Sequence, residues 1–344
     1  MREIIGDFCH DTLVENTKQA LAFDETRDYA AWKKEIKAKF YELLGFAKME
    51  QNACPLNVEI ESEVQKEGYK QIRFTFESEK NCFVPCYLLI PDGDKEKYPV
   101  AICLQGHSTG FHNSIGEPKD DGDYEYGSGR GRYAVQAVQN GYAALAIEQR
   151  AMGERISSRH PFDMRMCEFA FLSAASLGRT LVGERAWDVS KAIDVLEEMN
   201  NPKLDLDKIL VMGSSGGGTA SFYSGCYDER IKLVAPSCSF CSYKTSILRI
   251  YHCSCNFIPN AYNWFEMGDL TCLIAPRNFM PATGVRDGTF PLHGVNTEME
   301  KAKKIYAIEG AADNCRLVEM PKAHYFCDDI FWAEINKETK KMGW

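Results

Sequence analysis

Apolar residues recur at four-residue intervals near the start of the chain, at Trp32, Ile36, Phe40 and Leu44, with lysines and glutamates between them. That spacing lays one apolar stripe along a helix. Residues 1–54 are therefore expected to form a helical extension packed on the core as a lid or brace. From about Leu56 the period shortens. The stretches QIRFTFES and NCFVPCYLLIPDG alternate or run apolar, are rich in aromatic and β-branched residues, and end in turn chemistry at Pro91, Asp92 and Gly93. They predict antiparallel strands at one edge of a sheet.

Six apolar runs follow, separated by segments of helical length: PVAICLQG, YAALAIEQR, KILVMGSS, KLVAPSCS, RNFMPATGVRD and CRLVEMPKAH. Strands alternating with helices predict crossover connections and a mostly parallel sheet flanked by helices. Ligands bind such sheets beyond the carboxyl ends of the strands, so the chemistry is expected just past each run. The segment 108–132, rich in Gly, Ser and Asp, reads as a long functional loop, with disorder as the alternative.

The strongest local signal is KILVM followed by Gly213, Ser214, Ser215, Gly216, Gly217 and Gly218, then the small residues Thr219 and Ala220. A buried strand, a serine with glycines two before and two after, and a helix together form a nucleophile elbow, G-x-S-x-G. That frame centres on Ser215 and not on Ser214. Its hydroxyl would sit at a helix N-terminus, where the Gly216 amide donates to an oxyanion. A glycine-rich turn opening a helix also suits phosphate, but no Walker lysine follows and no G-x-G-x-x-G opens a βαβ unit.

A serine needs a base. Of the seven histidines, His324 follows the last strand, and the order serine, acid, histidine is the one this architecture uses. The acid should follow the penultimate strand, which supplies Asp287 in GVRDGTFP; Asp313 is the runner-up, in a polar stretch expected to face water. The second oxyanion donor would come from the loop after PVAIC, where Gly106 permits the turn that aims the His107 amide at the substrate. Glu148 and Arg150 either line the pocket or form an ion pair beneath it. Trp187 either stacks on a sugar ring or belongs to the core, and Tyr124, Tyr126, Phe257, Tyr262, Trp264 and Phe265 either face a substrate or pack.

Taken together, LQGH, EQRAMGER, GSSGGGTA, EMGDLTCLIAPR, GVRDGTFP and AHYF resemble the α/β-hydrolase family, in its acetyl xylan esterase-like and dienelactone hydrolase-like branch, over about residues 55–335. The resemblance implies a central sheet of about eight strands, a catalytic domain over 55–344, and a triad on Ser215, Asp287 and His324. It also implies hydrolysis of small acyl esters, often acetyl groups on sugars. The oxyanion loop from Gln105 to Gly110 is less glycine-rich than in the family, and NFMPATG is less aliphatic than its usual strand. Two alternatives are a peptidase related to prolyl oligopeptidase and a binding protein on the same scaffold.

Composition narrows the partners. In 344 residues, 40 basic against 49 acidic side chains give a net charge of −9, without the basic surplus nucleic acid calls for. The first residues carry no long apolar stretch, so a soluble cytoplasmic protein is expected, without a membrane and compatible with a homo-oligomer. Fourteen cysteines in such a chain are expected to be mostly buried thiols. Cys238, Cys241, His252, Cys253 and Cys255 carry enough donors for zinc, but lack the expected knuckle glycines. A buried thiol cluster or one labile disulfide is expected there, with no metal and no cofactor.

Overall fold

The computed structural model describes residues 6–119, 121–123, 131–157 and 166–344. Three helices lead: α1 (Phe8–Asn16), α2 (Tyr29–Leu44) and α3 (Phe46–Glu50). Asp28 caps α2 by accepting from the Ala31 amide, Gly45 ends it in the left-handed conformation, and its apolar stripe of Trp32, Ile36, Phe40 and Leu44 is buried. Three antiparallel strands come next, β1 (Glu59–Lys66), β2 (Tyr69–Glu79) and β3 (Cys82–Pro91).

The remaining strands are β4 (Tyr98–Leu104), β5 (Ala143–Ile147), β6 (Leu204–Ser214), β7 (Ile231–Ser237), β8 (Asn278–Phe279), β9 (Ala282–Gly284) and β10 (Val318–Met320). Between and after them run α4 (Tyr133–Gln139), α5 (Met166–Ser176), α6 (Leu181–Met199), α7 (Gly216–Tyr227), α8 (Met267–Leu270), α9 (Leu292–Ile308) and α10 (Asp328–Lys341). The strand order is β1-β2-β3-β5-β4-β6-β7-β9-β10, with β8 also on β7; from β5 to β10 all pairs are parallel.

Among the described residues the sheet holds ten strands, more than the eight expected. Part of the excess is β1, an exposed outer strand added to the hairpin. The rest arises because Pro281 has no N–H for the ladder and divides one strand into β8 and β9.

Side-chain alternation sorts each central strand between two layers. Val100, Ile102, Leu104, Leu145, Ile147, Ile209 and Val211 pack with α2, α3, α6, α7 and α9 in one core. Ala101, Cys103, Ala144, Ala146, Leu210 and Met212 pack with α4 and α10 in the other. Chain order reverses around β4, which has β5 on one side and β6 on the other. The crevice beyond such a switch point is where a doubly wound sheet binds ligands, and the turns after β4 and β6 meet there. No helix among the described residues is long and apolar enough to cross a membrane.

Candidate active site

Ser215 sits between β6 and α7 with φ 55° and ψ −122°, a conformation that L-residues adopt only under strain. The flanking glycines make it possible: a Cβ on either Gly213 or Gly217 would run into the Leu104 carbonyl of β4. The Ser215 amide donates to the Ser237 carbonyl at 2.9 Å. Its hydroxyl makes no cap bond to α7, so it is not consumed in ending the helix. The first amides of α7, beginning with Gly216, have no intrahelical acceptor and point their dipoles at the serine.

Asp287 and His324 arrive on the loops after β9 and β10. Backbone bonds tie these loops together, from Val285 N to Met320 O at 2.9 Å and from Arg286 N to Lys322 O at 3.0 Å. Across this join His324 Nδ1 lies 2.8 Å from Asp287 Oδ2. The other carboxylate oxygen accepts from the Thr289 and Phe290 amides at 2.8 and 3.1 Å. Burial alone would raise the Asp287 pKa, but the His324 ring and the two amides overcome it and hold the carboxyl below its usual range. The His324 ring stacks on Phe290 at 5.8 Å.

Ser215 and His324 share a cavity of about 140 Å³ with Gln105, Gly106, His107, Ser108, Asn113 and Tyr133. Gly106 lies against the elbow, since a Cβ there would come within 2.8 Å of the Ser214 carbonyl. The His107 amide has no acceptor among the described residues. The loop that carries it is braced from below: Gln105 Nε2 donates to Glu148 at 2.6 Å, and Gln149 Nε2 donates to the Gln105 carbonyl at 2.5 Å. Burial raises the Glu148 pKa from 4.5 to about 7 despite bonds from the Glu154 and Phe111 amides.

Some expected site residues lie elsewhere. Arg150 and Glu148 do not pair with each other. Instead Arg150 joins a buried network, 2.6 Å from Glu79, 2.7 Å from Asp188 and 3.3 Å from Glu184, because β5 ends facing the acidic side of α6. Trp187 is core, its Nε1 donating to the Ser78 carbonyl at 2.9 Å, since the stripe of α6 that carries it faces β2. Neither residue lines the cavity around Ser215, and nor does Glu148. Trp264 packs under Lys39, Phe265 is fully buried, and Phe257 and Tyr262 line a separate cavity of about 1020 Å³. Tyr124 and Tyr126 fall outside the described residues. Asp313 is exposed, as expected.

The cysteine grouping also needs correction. Cys241 lies by Thr245 and Pro291, and His252 bonds Ser246 at 2.9 Å beside Phe290. Cys238 sits beneath Asp287 and His324, its thiol pushed up to about 11 by burial and the Asp287 charge. Cys253 and Cys255 instead meet Cys167 and His107. Of the residues that sequence reasoning missed, Ser108 and Asn113 come from a loop with no motif, marked only by its polar richness, and Tyr133 opens α4 just after it.

A family model described as "Abhydrolase family" matches residues 4–231, more than half of the chain. "Putative hydrolase YtaP" of Bacillus subtilis (strain 168) is 24% identical over 245 residues, 70% of this chain and 78% of that protein. The crystal structure of a "putative acetyl xylan esterase" from Bacteroides fragilis NCTC 9343 superimposes with TM-score 0.77 at 18% identity, covering 98% of this chain and 96% of that one. A glucuronoyl esterase from Solibacter usitatus gives TM-score 0.68 at 16% identity, covering 95% of this chain and 99% of that one.

Proposed function

Since the chain belongs to the Abhydrolase family, we propose that it is a serine esterase that removes small acyl groups, acetyl first, from carbohydrate esters. The observation that carries this reading is the 2.8 Å bond from His324 to Asp287, with Ser215 and His324 in the walls of one small cavity. Ser215 attacks the ester carbonyl while His324 Nε2 takes its proton. Asp287 fixes the imidazole tautomer and offsets the charge of the imidazolium. The Gly216 and His107 amides receive the developing oxyanion. His324 then protonates the departing alcohol, and water repeats the sequence to release the acid.

The substrate class follows from the cavity and the neighbours. About 140 Å³ suits a small acyl group, and the described lining holds neutral hydrogen-bonding groups, Gln105, Ser108, Asn113 and Tyr133, with no lysine or arginine to grip a carboxylate. This favours acetyl over a sugar-acid moiety. The structural neighbours named as acetyl xylan and glucuronoyl esterases support a carbohydrate ester.

The test is a series of acetyl, butyryl and octanoyl esters together with acetylated xylo-oligosaccharide, assayed on wild type and Ser215→Ala. Acetyl esters should turn over fastest, and the variant should lose at least about three orders of magnitude. Undiminished turnover by Ser215→Ala would overturn the proposal. So would a wild type that cleaves no ester and leaves Ser215 unlabelled by an organophosphonate.

A further inference from the structure

His107 faces two ways. Its Nδ1 edge packs against the elbow, so close that a Cβ on Gly216 would come within 2.9 Å of that nitrogen. Its Nε2 lies 3.2 Å from Cys255 Sγ and 3.6 Å from Cys167 Sγ. Cys253 Sγ completes the group, 3.5 Å from Cys255 Sγ, and all four donor atoms lie within 4.8 Å of one another. Three separate pieces of chain supply them: the turn after β4, helix α5 and the loop after β7.

Zinc–sulfur bonds of about 2.3 Å in a tetrahedron place neighbouring sulfurs about 3.7 Å apart, with nitrogen–sulfur edges slightly shorter. The three separations of 3.2, 3.5 and 3.6 Å fall close to those edges. They are far from the roughly 2.05 Å of a disulfide, which the short Cys253 to Cys255 spacing would otherwise suggest. Charge points the same way. Arg185 is 2% exposed and, among the described residues, makes no ion pair with a carboxylate. Its Nη2 lies 3.3 Å from Cys167 Sγ and 2.8 Å from the Arg150 carbonyl. A buried guanidinium without a carboxylate calls for another anion, and three thiolates around a divalent cation leave one net negative charge beside it.

We propose that His107, Cys167, Cys253 and Cys255 bind one thiophilic divalent cation, zinc in the first place. Binding displaces the thiol protons to solvent and forms three metal–sulfur bonds and one metal–nitrogen bond. Four protein ligands close the shell, so the ion is structural and not a Lewis acid for the ester. Arg185 stands behind it as the group that steadies the thiolates. The site clamps the His107 ring, and through it the backbone amide over the elbow. This last consequence rests on the esterase reading, whereas metal binding does not.

The experiment uses the full chain, reduced, loaded with excess zinc or cobalt(II) and desalted, with metal per chain measured by mass spectrometry. Wild type and Ser215→Ala should each retain about one equivalent, and the cobalt form should show thiolate-to-metal charge-transfer absorption with tetrahedral visible bands. Cys253→Ser and Cys255→Ser should bind at least about tenfold more weakly, while Cys9→Ser, at an exposed position, should bind as wild type. Retention below half an equivalent, or a cobalt spectrum without charge transfer, overturns the proposal. Unchanged affinity in both folded serine variants does so as well, and if neither variant folds the wild-type cobalt spectrum decides. One equivalent of metal in a protein that cleaves no ester would leave the site standing and sink the esterase alone.

Discussion

At the scale of single residues, the cost of the site is concentrated at Ser215. A residue with a Cβ at φ 55° and ψ −122° carries strain on the order of 1–3 kcal/mol, which the β6 and α7 packing sustains. Alanine removes the hydroxyl but keeps the Cβ, whereas glycine removes both. Ser215→Gly is therefore expected to be more stable than Ser215→Ala by about 1 kcal/mol, after allowing for the extra freedom glycine gains in the unfolded chain. Both should be inactive. Urea unfolding of the two variants measures the difference, and equal midpoints would show that the elbow stores no strain. The serine was legible because this steric demand dictates its glycines. Asp287 and His324 were legible because topology orders the loops past β9 and β10. The cysteine cluster was not, since Cys255 and its partner His107 are 148 positions apart and nearness along the chain wrongly tied Cys253 to Cys241.

Elements reach the site through the brace under the turn after β4. Glu148 closes β5, accepts from Gln105, and is 0% exposed. With its pKa raised from 4.5 to about 7 by burial, the folded chain keeps a proton that the unfolded chain gives up across that interval. The unfolded state thus binds fewer protons there, and the group's contribution is fully present below about pH 4.5 and lost as pH rises through 7. Glu148→Gln has no such proton to lose. Its loss of stability between pH 5 and pH 8 should be smaller than that of wild type by on the order of 1–3 kcal/mol, read from urea midpoints at the two pH values. Equal slopes would place the titration elsewhere. Periodicity announced α2 and the strand runs because burial of one face enforces it. It gave no warning that Pro281 would split a strand. Nor did it show that Arg150 would turn toward Asp188 on α6, which is a matter of packing between layers.

Over the whole molecule, the small cavity at Ser215 and the larger one beside α1 share a wall. His107 stands in the walls of both, and the larger is lined on one side by Leu13, Val14 and Thr17 of α1 and its end. Helix α1 contributes none of the buried residues of either main core. It is held by the Tyr262 hydroxyl on the Val14 carbonyl at 3.2 Å and by ion pairs of Asp11 and Glu15 with Lys244 and Arg249. Those charges are 40–50% exposed, and exposed pairs of this kind contribute little and are screened by salt. Deleting residues 1–17 should therefore cost on the order of 1–3 kcal/mol of stability while removing one wall of the larger cavity. If the bulkier end of the ester extends past His107 into that space, the truncated chain will keep its kcat on acetyl esters of small alcohols. Its KM for bulky esters will rise by about tenfold, because apolar contact on the order of 1–2 kcal/mol is lost. Unchanged KM values across the series would confine the substrate to the small cavity, and a chain that no longer folds would show that α1 is part of the core after all.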